Sequence, residues 1–142
     1  MAKMFDNIIL ATDGSENAMR AAEMAIRLSK ELKNEPVTIA HIIKSGPQRP
    51  EIIKAKFDLQ SLLEEEARLT LEDTIALFEK QETPYTVRVA LGDPASEITK
   101  LAGTADLLVI GSRGMGSLRG VIMGSVSRKV ADHATCPVLI VK

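Results

Sequence analysis

Near its carboxyl end the chain reads LLVIGSRGMGSLRGVIMGS over residues 107–125. Leu107 to Ile110 form a short, continuous apolar run, which predicts a buried strand, and the residues from Val126 to Ala134 predict a helix. A glycine-rich loop between a strand and a helix is able to hold phosphate, because its backbone N–H groups approach an anion closely and the helix N-terminus adds unpaired donors. A flexible surface loop is the alternative, and the spacing of the glycines and the rest of the chain must decide.

The composition favours a single domain spanning residues 1–142. Lys and Arg number 18 against 19 Asp and Glu, and aromatic residues make up 3% of the chain. Charges so nearly balanced and so few stacking side chains argue against nucleic acid as a partner. No apolar run approaches the roughly 20 residues of a membrane helix. The lone Cys136 and the lack of a signal-peptide pattern predict a cytoplasmic protein.

Apolar periodicity predicts five strands alternating with four helices. The strands are predicted at Phe5–Ala11, Val37–Ile43, Tyr85–Leu91, Leu107–Ile110 and Cys136–Val141, and the helices at Asn17–Lys33, about Ile52–Lys80, Pro94 to Leu101 or Ala102, and Val126–Ala134. Asp93 is placed to cap the third helix and Pro94 to open it. Ser45 to Pro50 are predicted to form a mobile loop. The alternation predicts an α/β fold: a doubly wound, five-stranded parallel sheet with helices on both faces.

Three segments follow the carboxyl ends of predicted strands: the turn at Asp13, the residues near Ile42 and the loop at Gly111. Ligands of doubly wound sheets bind at the carboxyl ends of strands, where the strand order reverses. We therefore expect the three segments to meet in one crevice. Taken alone, Asp13 is explained as a helix cap or an Asx turn. The nearby glycine loop makes ligand contact the preferred interpretation.

The spacing Gly111-x-x-Gly114, then nine residues, then Gly124-Ser125 resembles the nucleotide-binding signature of the ATP-binding branch of the universal stress protein family. Residues 8–15 (IILATDGS), residues 92–94 (GDP) and residues 136–141 (CPVLIV) are similar to the same family. The resemblance covers essentially the whole chain, in order. It implies a Rossmann-like, parallel five-stranded sheet between helices, usually assembled as a dimer.

The resemblance also implies a site for an adenine nucleotide: ATP, ADP or AMP, with Mg²⁺ held mainly by the phosphates. Asp13 is expected at the ribose and adenine end, with the backbones of Ala11 and Ile42 flanking the base. Gly111 and Gly114 are expected to approach the ribose and the phosphates. The implied donors to the phosphates are the backbone N–H groups and hydroxyls of Gly124, Ser125, Val126 and Ser127.

Two of these positions carry ordinary alternatives. Arg113 lies between the motif glycines, where it is able to contact phosphate or equally to point into water. Ser125 is also placed as a helix N-cap, and capping does not exclude phosphate contact.

His41 and His133 are predicted to be structural, because no Cys/His cluster accompanies them. Cys136 is predicted to be a small buried apolar residue.

Three functions remain open from the sequence. The first is a stress-response regulatory protein that holds ATP with at most slow hydrolysis or autophosphorylation, because the loop lacks the lysine of Gly-x-x-x-x-Gly-Lys-Ser/Thr. The second is an adenylylating enzyme, although residues 12–15 (TDGS) differ from a Ser-Gly-Gly phosphate loop. The third is a structural dimer without ligand. A homodimer through Val138, Leu139, Ile140 and Val141 is expected, because an apolar terminal strand at a sheet edge leaves backbone groups unpaired.

Overall fold

The computed structural model describes residues 3–44, 58–113 and 123–142, and in these ranges it shows five parallel strands and five α-helices. The strands are β1 (Ile8–Ala11), β2 (Val37–Lys44), β3 (Tyr85–Gly92), β4 (Leu107–Gly111) and β5 (Val138–Val141). The helices are α1 (Met19–Glu31), α2 (Leu59–Thr70), α3 (Glu72–Lys80), α4 (Pro94–Leu101) and α5 (Ser125–His133). A 3₁₀ turn, Glu16–Ala18, precedes α1.

The sheet has the strand order β3-β2-β1-β4-β5, with every pairing parallel. The chain runs from β1 outward to β3 and then returns to β4, so the order reverses between β1 and β4. This confirms the predicted doubly wound α/β fold and puts the topological switch point at the centre of the sheet. The predicted terminal strand β5 lies at one edge.

Alternating side chains on β1 build two cores, one on each face of the sheet. Ile8 and Leu10 pack in a cluster with residues of α1, α2 and α3, whereas Ile9 and Ala11 pack in a cluster with residues of α4 and α5. All four β1 side chains are buried. Because both faces are covered, the strand shows an uninterrupted apolar run rather than an alternating pattern.

The predicted long helix is two helices, with the break at Leu71. Leu71 is fully buried and has φ −95° and ψ 12°, outside the helical region. The chain has neither glycine nor proline near this point, so the sequence offers no breaker that predicts the interruption. Residues 45–57, which include the predicted mobile loop and the predicted start of this helix, lie outside the described residues.

The other boundaries differ by a few residues from prediction. β1 begins at Ile8 rather than Phe5, and Phe5 is instead held by the buried Asn34, whose side chain accepts from its N–H (3.2 Å) and donates to its carbonyl (3.0 Å). At α4 the prediction is confirmed, because Asp93 is the N-cap, accepting from Ser96 N–H at 3.0 Å, and Pro94 is the first helical residue.

Candidate nucleotide-binding crevice

A crevice of about 430 Å³ opens at the carboxyl ends of β1, β2 and β4, between the N-termini of α4 and α5. Every predicted site residue that the structure describes lines it: Ala11, Asp13, Ile42, Gly111, Arg113, Gly124, Ser125, Val126 and Ser127. Gly114 lies outside the described residues. The expected meeting of the Asp13 turn, the end of β2 and the start of the Gly111 loop is thus found at the switch point.

The turn after β1 is fixed by local hydrogen bonds and by one glycine. Asp13 Oδ1 accepts from Ser15 N–H at 2.9 Å, and Thr12 Oγ1 accepts from Gly14 N–H at 3.1 Å. Gly14 has φ +77°, and its backbone packs against the carbonyl of Thr70 at the end of α2. Asp13 therefore forms the Asx turn that the alternative interpretation proposed, and the same turn places this half-exposed residue in the lining of the crevice.

Ser127 links the start of α5 to the residue that follows β4 through hydrogen bonds of its hydroxyl. Its hydroxyl lies 2.9 Å from the Ser112 carbonyl and 3.1 Å from the Gly124 carbonyl, and the residue is only 2% exposed. Gly124 N–H also donates to the Ser112 carbonyl. The hydroxyl is thus engaged with backbone carbonyls, and its predicted donation to phosphate requires that it leave them.

The start of α5 offers backbone donors to the crevice. Gly124, with φ −75° and ψ 168°, is the N-cap and makes no side-chain cap. The predicted N-cap role of Ser125 is wrong by one residue, since Ser125 is the first residue of the helix and is exposed. The first N–H groups of a helix have no intrahelical acceptor, and the helix dipole makes this end favourable for an anion. The free N–H groups and the helix dipole would both stabilise an anion bound in the crevice.

The other end of the crevice is apolar and includes residues that the sequence analysis did not select. Ala40 and Ile42 on β2 face Pro94 and Ile98 at the start of α4. The sequence alone does not identify the additional wall residues, because the strand order of the sheet decides which side chains of β2 and α4 reach the crevice. The wall is suited to the flat face of an aromatic ring, because burying apolar surface there is favourable by roughly 25 cal/mol per Å².

The charged side chains among the described lining residues are one carboxylate, Asp13, and two cations, Lys44 and Arg113. The surplus of one positive charge favours an anionic ligand. His41 is buried behind the turn, and its Nδ1 lies 3.0 Å from the Thr12 carbonyl, to which the protonated nitrogen donates. The structural role predicted for His41 agrees with this bond.

Outside the crevice, Cys136 is buried in the core beneath α4 and α5, as predicted. Burial, together with the charge of Asp106, raises the pKa of the Cys136 thiol and keeps it protonated. The described part of the chain contains no group of three His, Cys, Asp or Glu side chains able to hold a metal ion. None of the helices in that part is both long enough and apolar enough to cross a membrane.

Comparison with curated proteins gives relatives along nearly the full length of the chain. Universal stress protein MJ0531 of Methanocaldococcus jannaschii is 32% identical over 142 residues, which cover 98% of this chain and 83% of that protein. Universal stress protein YxiE of Bacillus subtilis is 30% identical over 149 residues, covering 98% and 100% of the two chains.

Three solved structures with a similar fold match nearly the whole chain. Protein MJ0577 of M. jannaschii matches with a TM-score of 0.75 and 31% identity, over 98% of this chain and 96% of its own. A universal stress protein in complex with cAMP matches with a TM-score of 0.71 and 23% identity, over 98% of each chain. The universal stress protein from Archaeoglobus fulgidus in complex with dAMP matches with a TM-score of 0.66 and 22% identity, over 98% of this chain and 99% of its own.

The family assignment rests on the whole chain rather than on one motif. Residues 4–142 match the Universal stress protein family, and curated members of it reach 30% identity or more over nearly all of this sequence. The fold also matches that of solved members, including MJ0577 with a TM-score of 0.75. This chain belongs to the universal stress protein family.

Proposed function

We propose that this protein is a stress-response regulator that binds ATP, or another adenine nucleotide, in the crevice at the switch point. The observation that carries the proposal is the crevice itself, which joins an anion-binding helix N-terminus, a carboxylate and an apolar wall in one space of about 430 Å³. Each of these three features suits one part of a nucleotide. The phosphates suit the helix end, the ribose hydroxyls suit the carboxylate and the base suits the apolar wall.

The phosphates belong at the start of α5 in this proposal. Backbone N–H groups of Ser125, Val126 and Ser127 point toward this end, and the dipole adds about half a positive charge. Arg113 lies at the same side of the crevice, at the end of β4. Mg²⁺ would be held mainly by the phosphates, which agrees with a crevice whose described lining includes a single carboxylate.

The base and ribose belong at the β1 and β2 end. Ala11 and Ile42 flank the crevice there, and the carboxylate of Asp13 is able to accept a hydrogen bond from a ribose hydroxyl. The two family members bound to cAMP and dAMP support this choice of base, because both ligands contain adenine joined to a sugar phosphate. A cytoplasmic location suits such a ligand and the unpaired, buried Cys136.

A binding role is preferred to rapid turnover. The sequence has no Walker lysine, and the described lining offers only Asp13 as a base, which already accepts from Ser15 N–H. At most slow hydrolysis or autophosphorylation is expected. Adenylylation remains the second candidate, but residues 12–15 (TDGS) lack the phosphate loop of such enzymes. A structural dimer without ligand would leave the cationic crevice unexplained.

Asp13 provides the experiment. We expect wild-type protein to bind ATP about tenfold more tightly than 2′,3′-dideoxy-ATP, because a hydrogen bond to a charged acceptor contributes roughly 1.5 kcal/mol. In Asp13→Ala, calorimetric titration should show weaker ATP binding and equal affinities for the two nucleotides. Asp13→Asn, which keeps an acceptor for Ser15 N–H, controls for loss of the turn.

The pattern of affinities separates the possible roles of Asp13. If Asp13→Ala still prefers ATP over the dideoxy nucleotide by the wild-type ratio, the carboxylate does not contact the ribose. If the wild-type protein binds neither nucleotide, the proposed function is wrong. Thermal melting of each variant shows whether a lost affinity reflects a lost fold.

We also propose a homodimer in which two copies of β5 pair across a two-fold axis. β5 is an edge strand, and Val138 to Val141 are each only half-buried. The carbonyls of Pro137 and Val141 accept from Leu108 and Ser112 of the β4 segment, so by alternation the backbone groups of Val138 and Ile140 point away from β4. They are the groups available to a second copy.

Ile140→Pro is expected to convert the dimer to a monomer, because proline removes an outward donor while an edge strand still tolerates it. Light scattering at micromolar concentration should give twice the chain mass for the wild type and the chain mass for the variant. Circular dichroism should show a folded variant. A wild-type protein with the mass of one chain at that concentration would contradict the proposed dimer.

A further inference from the structure

Lys44 is a cation in the crevice that the proposed phosphate contacts leave unused. It is the last residue of β2 and is exposed at the crevice mouth. Alternation along the strand puts Ala40, Ile42 and Lys44 on one face, the face covered by α4 and α5. Lys44 therefore lies on the same face as the side chains of the apolar wall, and its ammonium group places a positive charge at the end of that wall.

The strand order separates Lys44 from the phosphate end. β1 lies between β2 and β4, so the end of β2 is two strand spacings, roughly 10 Å, from the end of β4. Arg113 and α5 both follow β4. A nucleotide with its phosphates on α5 spans this distance with its ribose and base, and Lys44 then lies beside the base.

Among the described residues, no side chain pairs with the charge of Lys44. Its neighbour in register on β3 is Gly92, which has no side chain to pair with it. Glu97 packs over Gly92, but its carboxylate lies 3.5 Å from Lys100 Nζ. No carboxylate of the described residues lies within 4.0 Å of the Lys44 ammonium.

A lysine side chain has three donors and no acceptor. The adenine edge that carries N6 and N7 offers one donor and one acceptor, whereas the same edge of guanine offers two acceptors, O6 and N7. We propose that Lys44 donates to this edge of the base and allows the crevice to accept guanine nucleotides alongside adenine nucleotides. The inference rests on the proposed nucleotide function and adds a base-reading residue to it.

Lys44→Met tests the inference, because methionine keeps an apolar stem against the wall and removes the donors. Lys80→Met is the matched control, since Lys80 is an exposed lysine at the end of α3, away from the crevice. Calorimetric titration with Mg²⁺–ATP and Mg²⁺–GTP is done on the wild type and both variants. We expect Lys44→Met to weaken GTP about tenfold and to change ATP by less than about twofold, with no change in Lys80→Met.

The results distinguish this inference from the proposed function. A GTP to ATP affinity ratio that is the same in Lys44→Met and wild type overturns the role of Lys44, and so does a larger loss for ATP than for GTP. Wild-type protein that binds ATP but not GTP also overturns it, while leaving the proposed function intact. Wild-type protein that binds neither nucleotide rejects the proposed function itself.

Discussion

Replacing Gly14 by alanine is expected to lower the free energy of unfolding by about 3 kcal/mol. Gly14 has φ +77°, a conformation that costs an L-residue roughly 1–2 kcal/mol. A Cβ at this position would lie 2.3 Å from the carbonyl oxygen of Thr70, which is backbone and cannot rotate away. Either the Asp13 turn or the end of α2 must therefore move.

Gly103→Ala is the matched control for Gly14→Ala. Gly103 also lies in a loop, but its backbone is not left-handed, and an added Cβ would come no closer than 3.4 Å to Asp106 Oδ2. Urea denaturation followed by circular dichroism should show a large loss for Gly14→Ala and less than about 1 kcal/mol for Gly103→Ala. Equal stability of the two variants would show that the Gly14 turn does not need its glycine.

The Gly14→Ala substitution should also weaken ligand binding in the crevice. Gly14 stands between Asp13 and Ser15, whose hydrogen bond defines the turn, and Asp13 lines the proposed ribose end. At a temperature low enough to keep the Gly14→Ala variant folded, this variant should bind ATP more weakly than the wild type. The turn after β1 thus connects the end of α2 to the proposed site.

The fold was predictable because four strands are mainly apolar runs, β3 is an alternating, β-prone segment and each helix is amphipathic. β1 and β4 are buried on both faces, and Asp93-Pro94 gives a local signal for the start of α4. The break at Leu71 was not predictable, because this part of the chain contains no glycine or proline. Leu71 itself is fully buried in the core cluster that contains residues of α1 and the sheet.

The candidate site was predictable in its turns and glycines, but in its apolar walls only at Ala11 and Ile42. Asp13 stands out in the sequence because it follows a predicted strand, and Gly124-Ser125 stand out because they precede a predicted helix at a fixed interval from Gly111. Ala40 and Ile98 look like any core residues until the strand order brings them to the crevice. The hydroxyl of Ser127 was assigned to phosphate, because the sequence does not show that it reaches the Ser112 carbonyl, fifteen residues earlier.

Ser125→Pro is expected to weaken ATP binding by about 2 kcal/mol, roughly thirtyfold in Kd. Ser125 is the first residue of α5, and proline is favoured at this position because its fixed φ suits the helix. Gly124 before it has ψ 168°, which is compatible with a following proline. The substitution therefore removes one backbone donor to the proposed phosphate position and leaves the helix intact.

Ser125→Ala is the matched control, because it removes the hydroxyl and keeps the backbone N–H group. If the backbone donors of α5 hold the phosphates, Ser125→Ala should lose less than about 1 kcal/mol of binding free energy. Adenosine, which has no phosphate, should bind Ser125→Pro and wild type with equal affinity. Equal melting temperatures of the two variants show that α5 is folded in both.

Calorimetric titration of ATP into wild-type protein, Ser125→Pro and Ser125→Ala tests most directly whether the crevice holds a nucleotide with its phosphates on α5. We predict one ATP per chain for the wild type, a roughly thirtyfold weaker Kd for Ser125→Pro and a nearly unchanged Kd for Ser125→Ala. Binding by Ser125→Pro that equals the wild type, or no binding of ATP by the wild type, would contradict the account.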